Sequence, residues 1–248
     1  MKVIAHRGYS GKYPENTMLA FKMALEAGCD EIELDIQMSA DGRIVIFHDE
    51  STGRVTGVPG LVRNFTFEEL RKLDASALYA GKFGFNPVPS LEEYFSWVKD
   101  TGISTNIELK NSVFYYEALE AKTTELIKKY GLEKRVMFSS FNHASLVKCK
   151  ELAPSIPCGV LVSAPGLGNA PCFLKSFGFE YYHPDIGCLN DETVAECKKQ
   201  GIGLNVWTVN DMGGLLRLEE WGCDGIITNF PDVCKKWLKN NPSLRVSP

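Results

Sequence analysis

Short apolar stretches with strand character alternate with helical stretches almost from one end of the chain to the other, and this alternation limits the fold more than any other feature. Strands are predicted at Val3–Ala5, Ile32–Ile36, Thr105–Leu109, Val136–Ser139, Gly159–Val162, Tyr181–His183, Leu204–Thr208 and Gly225–Thr228. Helices are predicted near Glu15–Ala27, Leu91–Lys99, Tyr115–Lys129, Ala144–Leu152, Cys172–Phe177, Glu192–Gln200, Met212–Glu220 and Pro231–Lys239. Ser90 with Glu93 and Thr66 with Glu69 read as capping boxes, Asn190 and Asn210 as N-caps, and Pro231 as a first helical residue. Eight strands, each followed by a helix, is the count of a (β/α)8 or TIM barrel. One interval breaks the rhythm. From about Gly42 to Pro89 the chain reads as a hairpin, a turn rich in glycine (Gly53, Gly57, Gly60) and one short helix, Glu68–Leu73. This is a small insertion, about 42–89, between the second strand and its helix, and the whole of 1–248 is expected to be a single domain.

In such a barrel the chemistry belongs at the C-terminal ends of the strands. The ionisable residues concentrate there. In Glu31–Gln37, Ile32, Leu34 and Ile36 take one side and Glu31, Glu33, Asp35 and Gln37 the other. Carboxylates two apart on a strand lie roughly 7 Å apart and point the same way, which suits two ligands converging on a hard cation. Asn106, Glu108 and Lys110 repeat the pattern on the third strand, so Glu108 completes a three-carboxylate set with Glu33 and Asp35. Carboxylates with water favour Mg²⁺ or Ca²⁺ over zinc. The alternative is a polar plug in which Lys110, Arg7 or Arg43 neutralises the acids.

Beyond an Asp41-Gly42 turn, Ile44, Ile46 and His48 alternate on one face, and His48-Asp49 brings an imidazole near the acids. His6 sits at the end of the first strand. Two histidines at strand mouths beside a carboxylate cluster fit an acid/base pair, because imidazole titrates near neutral pH. His143 reads as a capping-region residue, and His183 as one that could line the sixth loop. Arg7 and Lys110 add positive charge that suits an anionic substrate, a phosphate above all, or that compensates the acids. Trp207 reads either as a stacking wall for substrate or as core.

Composition excludes several classes. The formal net charge of −4 carries no nucleic-acid footprint. Charge interrupts Met1–Arg7 too early for a secretory signal, and no apolar run approaches the roughly 18 residues that span a bilayer. A cytoplasmic protein without stable membrane association is expected. The eight cysteines include no Cys-x-x-Cys pair and read as free thiols, mostly small buried hydrophobes. The oligomeric state is not legible.

His6-Arg7-Gly8, Pro14-Glu15-Asn16-Thr17, Ala20-Phe21, Glu33-Leu34-Asp35, His48-Asp49, Glu108-Leu109-Lys110, Trp207–Asn210 and Asp224–Asn229 occur in an order that resembles the glycerophosphodiester phosphodiesterases. The resemblance covers nearly the whole chain. It implies a TIM barrel with an insertion after the second strand, and one divalent metal on the positions matching Glu33, Asp35 and Glu108. It also implies an acid/base pair at His6 and His48, phosphate contacts from Arg7 and Lys110, and a small glycerophosphodiester as substrate, cleaved to sn-glycerol 3-phosphate and an alcohol. The chain departs from similar members in having Arg54-Val55-Thr56 where Arg-Thr-Thr is common, which bears on headgroup preference. Two other readings stand beside it. One is a phosphodiesterase directed at lysophospholipids or phosphoinositides, docking through Leu78-Tyr79, Phe83 and Phe85, which could equally be a small core. The other is a non-catalytic barrel that binds phosphorylated ligands.

Overall fold

The computed structural model describes residues 1–241. Its strands are β1 (Lys2–Ala5), β2 (Glu31–Met38), β3 (Ile44–Ile46), β4 (Ser104–Leu109), β5 (Val136–Ser140), β6 (Cys158–Val162), β7 (Tyr181–Pro184), β8 (Gly203–Val206) and β9 (Gly225–Thr228). All but β3 run parallel in the order β1-β9-β8-β7-β6-β5-β4-β2, and β1 pairs with β2 to close an eight-stranded barrel. The short β3 pairs antiparallel with the far end of β2, Ile36 opposite Ile46.

The helices are α1 (Met18–Glu26), α2 (Gly53–Thr56), α3 (Phe67–Leu70), α4 (Leu91–Val98), α5 (Leu119–Tyr130), α6 (His143–Leu152), α7 (Ala170–Phe177), α8 (Asp191–Lys199), α9 (Met212–Glu220) and α10 (Pro231–Asn240). One helix follows each barrel strand, with α2 and α3 inside the insertion, so this is the (β/α)8 fold that the alternation predicts. Alternation also explains the layering. Ile32, Leu34 and Ile36 of β2 pack outward in one buried cluster with Phe21 and Ala24 of α1 and Tyr94 and Phe95 of α4. Each such fully buried side chain contributes about 1.5–3 kcal/mol. The alternate residues Glu33 and Asp35 are thereby turned inward. A second, smaller cluster (Val45, Phe47, Val55, Val62, Leu70, Ala75, Val88) sits under the insertion.

Local details depart from the sequence reading. The insertion holds two short helices and two 3-10 turns rather than one helix, and its helix near Glu68–Leu73 is Phe67–Leu70. Strand β3 stops at Ile46, so His48 lies in a loop and not on a strand face. Thr66 and Glu69 form the full capping box. Ser90 accepts from the Glu93 amide, but the Glu93 carboxylate is drawn to Arg71 (2.7 Å), so that box is only half made. Asp211, not Asn210, caps α9, and Asn210 instead accepts from the Asn229 amide. Helices α1 and α5 start at Met18 and Leu119, which leaves Glu15 and Tyr115 in loops. The eight cysteines are unpaired, six of them buried as small apolar filler. Tyr79 and Phe83 belong to neither buried cluster but pack against each other, and Phe83 against Tyr13 at the edge of the main cluster, while Leu78 and Phe85 are exposed. No helix among the described residues is long and apolar enough to cross a membrane.

Candidate active site

Three carboxylates converge at the C-terminal mouth. Strand register puts Asp35 of β2 directly opposite Glu108 of β4, with Glu33 one inward position below. One oxygen from each lies within 4.8 Å of the others, and all three side chains are buried. Burial, then the adjacent Asp35, pushes Glu33 and Glu108 above the ordinary carboxylate range. Asp35 goes the other way. Burial opposes its ionisation, but His48, Arg7 and Lys110 outweigh it and hold the carboxyl well below its ordinary value. Its Oδ2 accepts from the Asn16 amide at 2.8 Å, whereas its buried Oδ1 has no hydrogen-bond partner. A partnerless buried carboxylate oxygen between two further acids is what a divalent cation would satisfy, and an all-oxygen set suits a hard ion. The salt bridges of the alternative reading are present too: Lys110 to Glu108 at 2.9 Å and Arg7 Nε to Asp35 at 3.5 Å. Arg43 takes no part, being paired with Glu92.

Beyond β1 the backbone turns sharply. Arg7 (φ 54°) and Asn16 (φ 55°) occupy the left-handed region, which costs a side-chain-bearing residue on the order of 1–3 kcal/mol and concentrates at working sites. The turn is held by Arg7 N–H donating to Glu33 (2.7 Å) and Asn16 N–H donating to the Arg7 carbonyl (3.0 Å). Gly8 is required here, since its φ is +76° and a Cβ would come within 2.8 Å of the Ala20 backbone. The turn aims His6 across the barrel closure, where Nδ1 meets Asn229 Oδ1 at 2.7 Å. An amide oxygen only accepts, so Nδ1 carries the proton and Nε2 is left as acceptor. Burial, then Arg7, pushes the His6 ring down to about 4, so it is neutral at pH 7. His48 Nδ1 likewise meets Asp49 Oδ1 at 2.6 Å, with Nε2 3.3 Å from Lys110 Nζ.

His6, Arg7, Glu33, His48 and Glu108 line one side of a cavity of about 80 Å³. Phe141, Leu161 and Trp207 line the other. Trp207 is a wall and not core: it stands edge-on to Phe141 with centroids 5.6 Å apart, and its Nε1–H donates to the His183 carbonyl at 2.8 Å. His143 opens α6 with Nε2 3.0 Å from the Leu161 carbonyl oxygen. His183 lines no loop. It is fully buried inside the barrel, Nε2 accepting from Asn205 at 3.0 Å, in space left by Gly159, where a Cβ would clash at 2.4 Å. A larger cleft of about 1080 Å³ opens at the opposite end, beside Lys2, Asp30 and Asp224, where barrels of this type hold stability rather than chemistry.

A model of the Glycerophosphoryl diester phosphodiesterase family matches residues 6–233. The chain belongs to that family. This family member is an enzyme, a hydrolase of phosphodiesters. It is similar to a glycerophosphodiester phosphodiesterase of Caldanaerobacter subterraneus, 41% identical over 93% of this chain and 95% of that one. A second such enzyme, from Bacillus altitudinis, is 39% identical over 95% and 97%. In three dimensions it resembles a phosphodiesterase of Oleispira antarctica determined in complex with the product sn-glycerol-3-phosphate, with a TM-score of 0.86, 30% identity and 96% and 97% of the two chains covered.

Four residues at this family member's site escape sequence reasoning. Phe141 gave no signal beyond following β5, and Asn16 and Asn229 were motif letters without partners. Gln37 shares the inward face of β2, and its buried Nε2 lies 2.7–3.2 Å from the carbonyls of Phe47, His48 and Asp49, holding that loop from below. Strand alternation could have nominated it.

Proposed function

We propose that this family member cleaves glycerophosphodiesters to sn-glycerol 3-phosphate and an alcohol, with His6 and His48 as its acid/base pair, and that residues 1–248 act as one catalytic domain. One observation carries the reading: two imidazoles with their Nδ1 positions occupied face the same small cavity as a buried carboxylate triad. Glu33, Asp35 and Glu108 would hold one divalent cation, Mg²⁺ or Ca²⁺, which when bound supplies stabilisation of negative charge on a phosphate oxygen. Arg7 and Lys110 bind the phosphate and share that charge as it grows on the equatorial oxygens. His6, kept neutral by its burial, accepts at Nε2 the proton of the substrate's 2-hydroxyl, which attacks phosphorus and expels the alcohol. That leaves His48, its Nδ1–H held by Asp49, to give the departing alkoxide a proton carried on Nε2. Water then opens the cyclic phosphate to sn-glycerol 3-phosphate, with the two rings in reversed roles. Trp207 and Phe141 pack on the carbon skeleton of the substrate and keep bulk water from the phosphorus. The lipid-directed reading would rest on Leu78 and Phe85, and singly exposed apolar side chains are ordinary on any surface.

The test is release of glycerol 3-phosphate from glycerophosphocholine and glycerophosphoethanolamine, each with Mg²⁺, with Ca²⁺ and with chelator. Release that vanishes with chelator and returns with one ion is expected. Absence of release under every condition, from protein shown to be folded, overturns the reading.

A further inference from the structure

Arg7 and His48 both lie outside regular structure, since β1 ends at Ala5 and β3 at Ile46. Gln37 holds the backbone of the His48 loop but touches no atom of the ring. Besides Lys110 at His48 and Asp35 at Arg7, what reaches the two side chains is an alternating run of charges along the rim. Asp49 faces His48 Nδ1 through Oδ1 and binds Arg54 through both oxygens, from Nε and Nη2. The same guanidinium donates to both oxygens of Glu15, from Nη1 at 3.0 Å and Nη2 at 2.6 Å. Glu15 in turn accepts from Arg7 Nη1 at 2.9 Å. One planar fork thus grips two carboxylates at once, each by two bonds, which is the geometry a guanidinium allows and an ammonium does not. Arg54 itself touches none of the cavity-lining groups and sits on the four-residue helix α2, which Thr52 ties to the insertion through the carbonyl of Val58.

We propose that Arg54 is a positioning residue: through Asp49 it fixes the Nδ1 hydrogen bond and the orientation of His48, through Glu15 it fixes Arg7, and so it couples the proton-transfer side of the site to its phosphate-binding side. This rests on the parts given to His48 and Arg7 above. An exposed ion pair serving stability alone would be worth little and would tolerate lysine. The clamp makes two different demands. A carboxylate accepting from Nδ1–H keeps Nε2, the nitrogen that gives the proton, turned to the cavity, and a bidentate grip on that carboxylate keeps the ring plane fixed.

Three readouts decide it. Arg54→Met is expected to lower kcat about 10- to 100-fold, the range for loss of an orienting partner, with a smaller rise in KM, and Arg54→Lys is expected not to restore it. Glu15→Gln and Asp49→Asn are expected to be non-additive in kcat/KM while Arg54 is present and additive in the Arg54→Met background. ¹⁵N-labelled imidazole spectra of the folded protein are expected to show one sharp, hydrogen-bonded Nδ1–H signal for His48, broadening or splitting in Arg54→Met. Wild-type kcat and an unchanged His48 spectrum in Arg54→Met would overturn the proposal, as would additivity with Arg54 in place. The spectrum needs no turnover, so a wild-type protein inactive on every diester would remove the proposed function while the positioning inference is still decided by it.

Discussion

The two walls of the cavity are built on different principles. On the side of β1, β2 and β4, every functional group is ionisable, buried or half-buried, and linked to the next: Glu33 to the Arg7 amide, Asp35 to Asn16 and Arg7, Glu108 to Lys110, Lys110 to His48. On the side of β5, β6 and β8 the lining is mostly apolar, Phe141, Leu161 and Trp207 beside Ser139 and Thr208; Phe141 packs on Trp207, whose indole donates to the His183 carbonyl. A charged wall in low dielectric is only as good as its least satisfied member, so its parts succeed or fail together. An apolar wall is additive and graded. Under the proposed function the first wall carries the chemistry and the second the fit.

The comparison breaks most easily at the histidines. His48→Ala or His6→Ala should lower kcat by about 10²–10⁴ with the melting temperature little changed, as expected for loss of a general acid or base. Near-normal turnover in either variant would remove that residue from the acid/base pair. Next in size is the floor beneath both walls, His183, which burial pushes down to about 3. Above about pH 6.5, the ordinary histidine value, the ring is neutral whether the chain is folded or not, and no penalty exists. As pH falls below that, the unfolded chain takes up the proton and the folded chain does not, so stability is lost until about pH 3. Between pH 7 and pH 5 the loss is roughly 2 kcal/mol. Urea unfolding at both pH values should show wild type losing that much more than His183→Gln. Equal losses would mean the floor admits the proton. The smallest effect is on the apolar wall. Trp207→Ala should raise KM about tenfold and change kcat much less, as for lost apolar contact. A kcat collapse instead would move Trp207 to the reactive side.

Much of this was legible because strand periodicity is strict. Once Ile32, Leu34 and Ile36 had to face the helices, Glu33 and Asp35 had to face inward, and the same argument brought Glu108 to meet them. The closed barrel followed from counting such strands. Partners distant in sequence were not legible. Nothing near His6 announces Asn229, and nothing near His48 announces Gln37 or the grip of Arg54. Caps failed where two good candidates compete: Asn210 and Asp211 are adjacent, and the one not needed by Asn229 became the cap. Alternation also overran its element at His48, because beyond the Asp35–Phe47 bond the edge of β2 is taken by β1, which pairs at Ile32 and Glu31.

The bond between His6 and Asn229 spans 223 positions and crosses the seam where β1 meets β9. During translation at about 5–20 residues per second, every carboxylate of the triad and both histidines leave the ribosome well before Asn229 does. Until β9 docks, His6 has no oxygen to hold its Nδ1–H, and the backbone N–H of His6 lacks the Thr228 carbonyl that receives it. A half-made polypeptide therefore carries these side chains without the seam that aligns His6. The barrel closes only at the final strand, and a chain interrupted before that strand holds the residues of the cavity but not their arrangement.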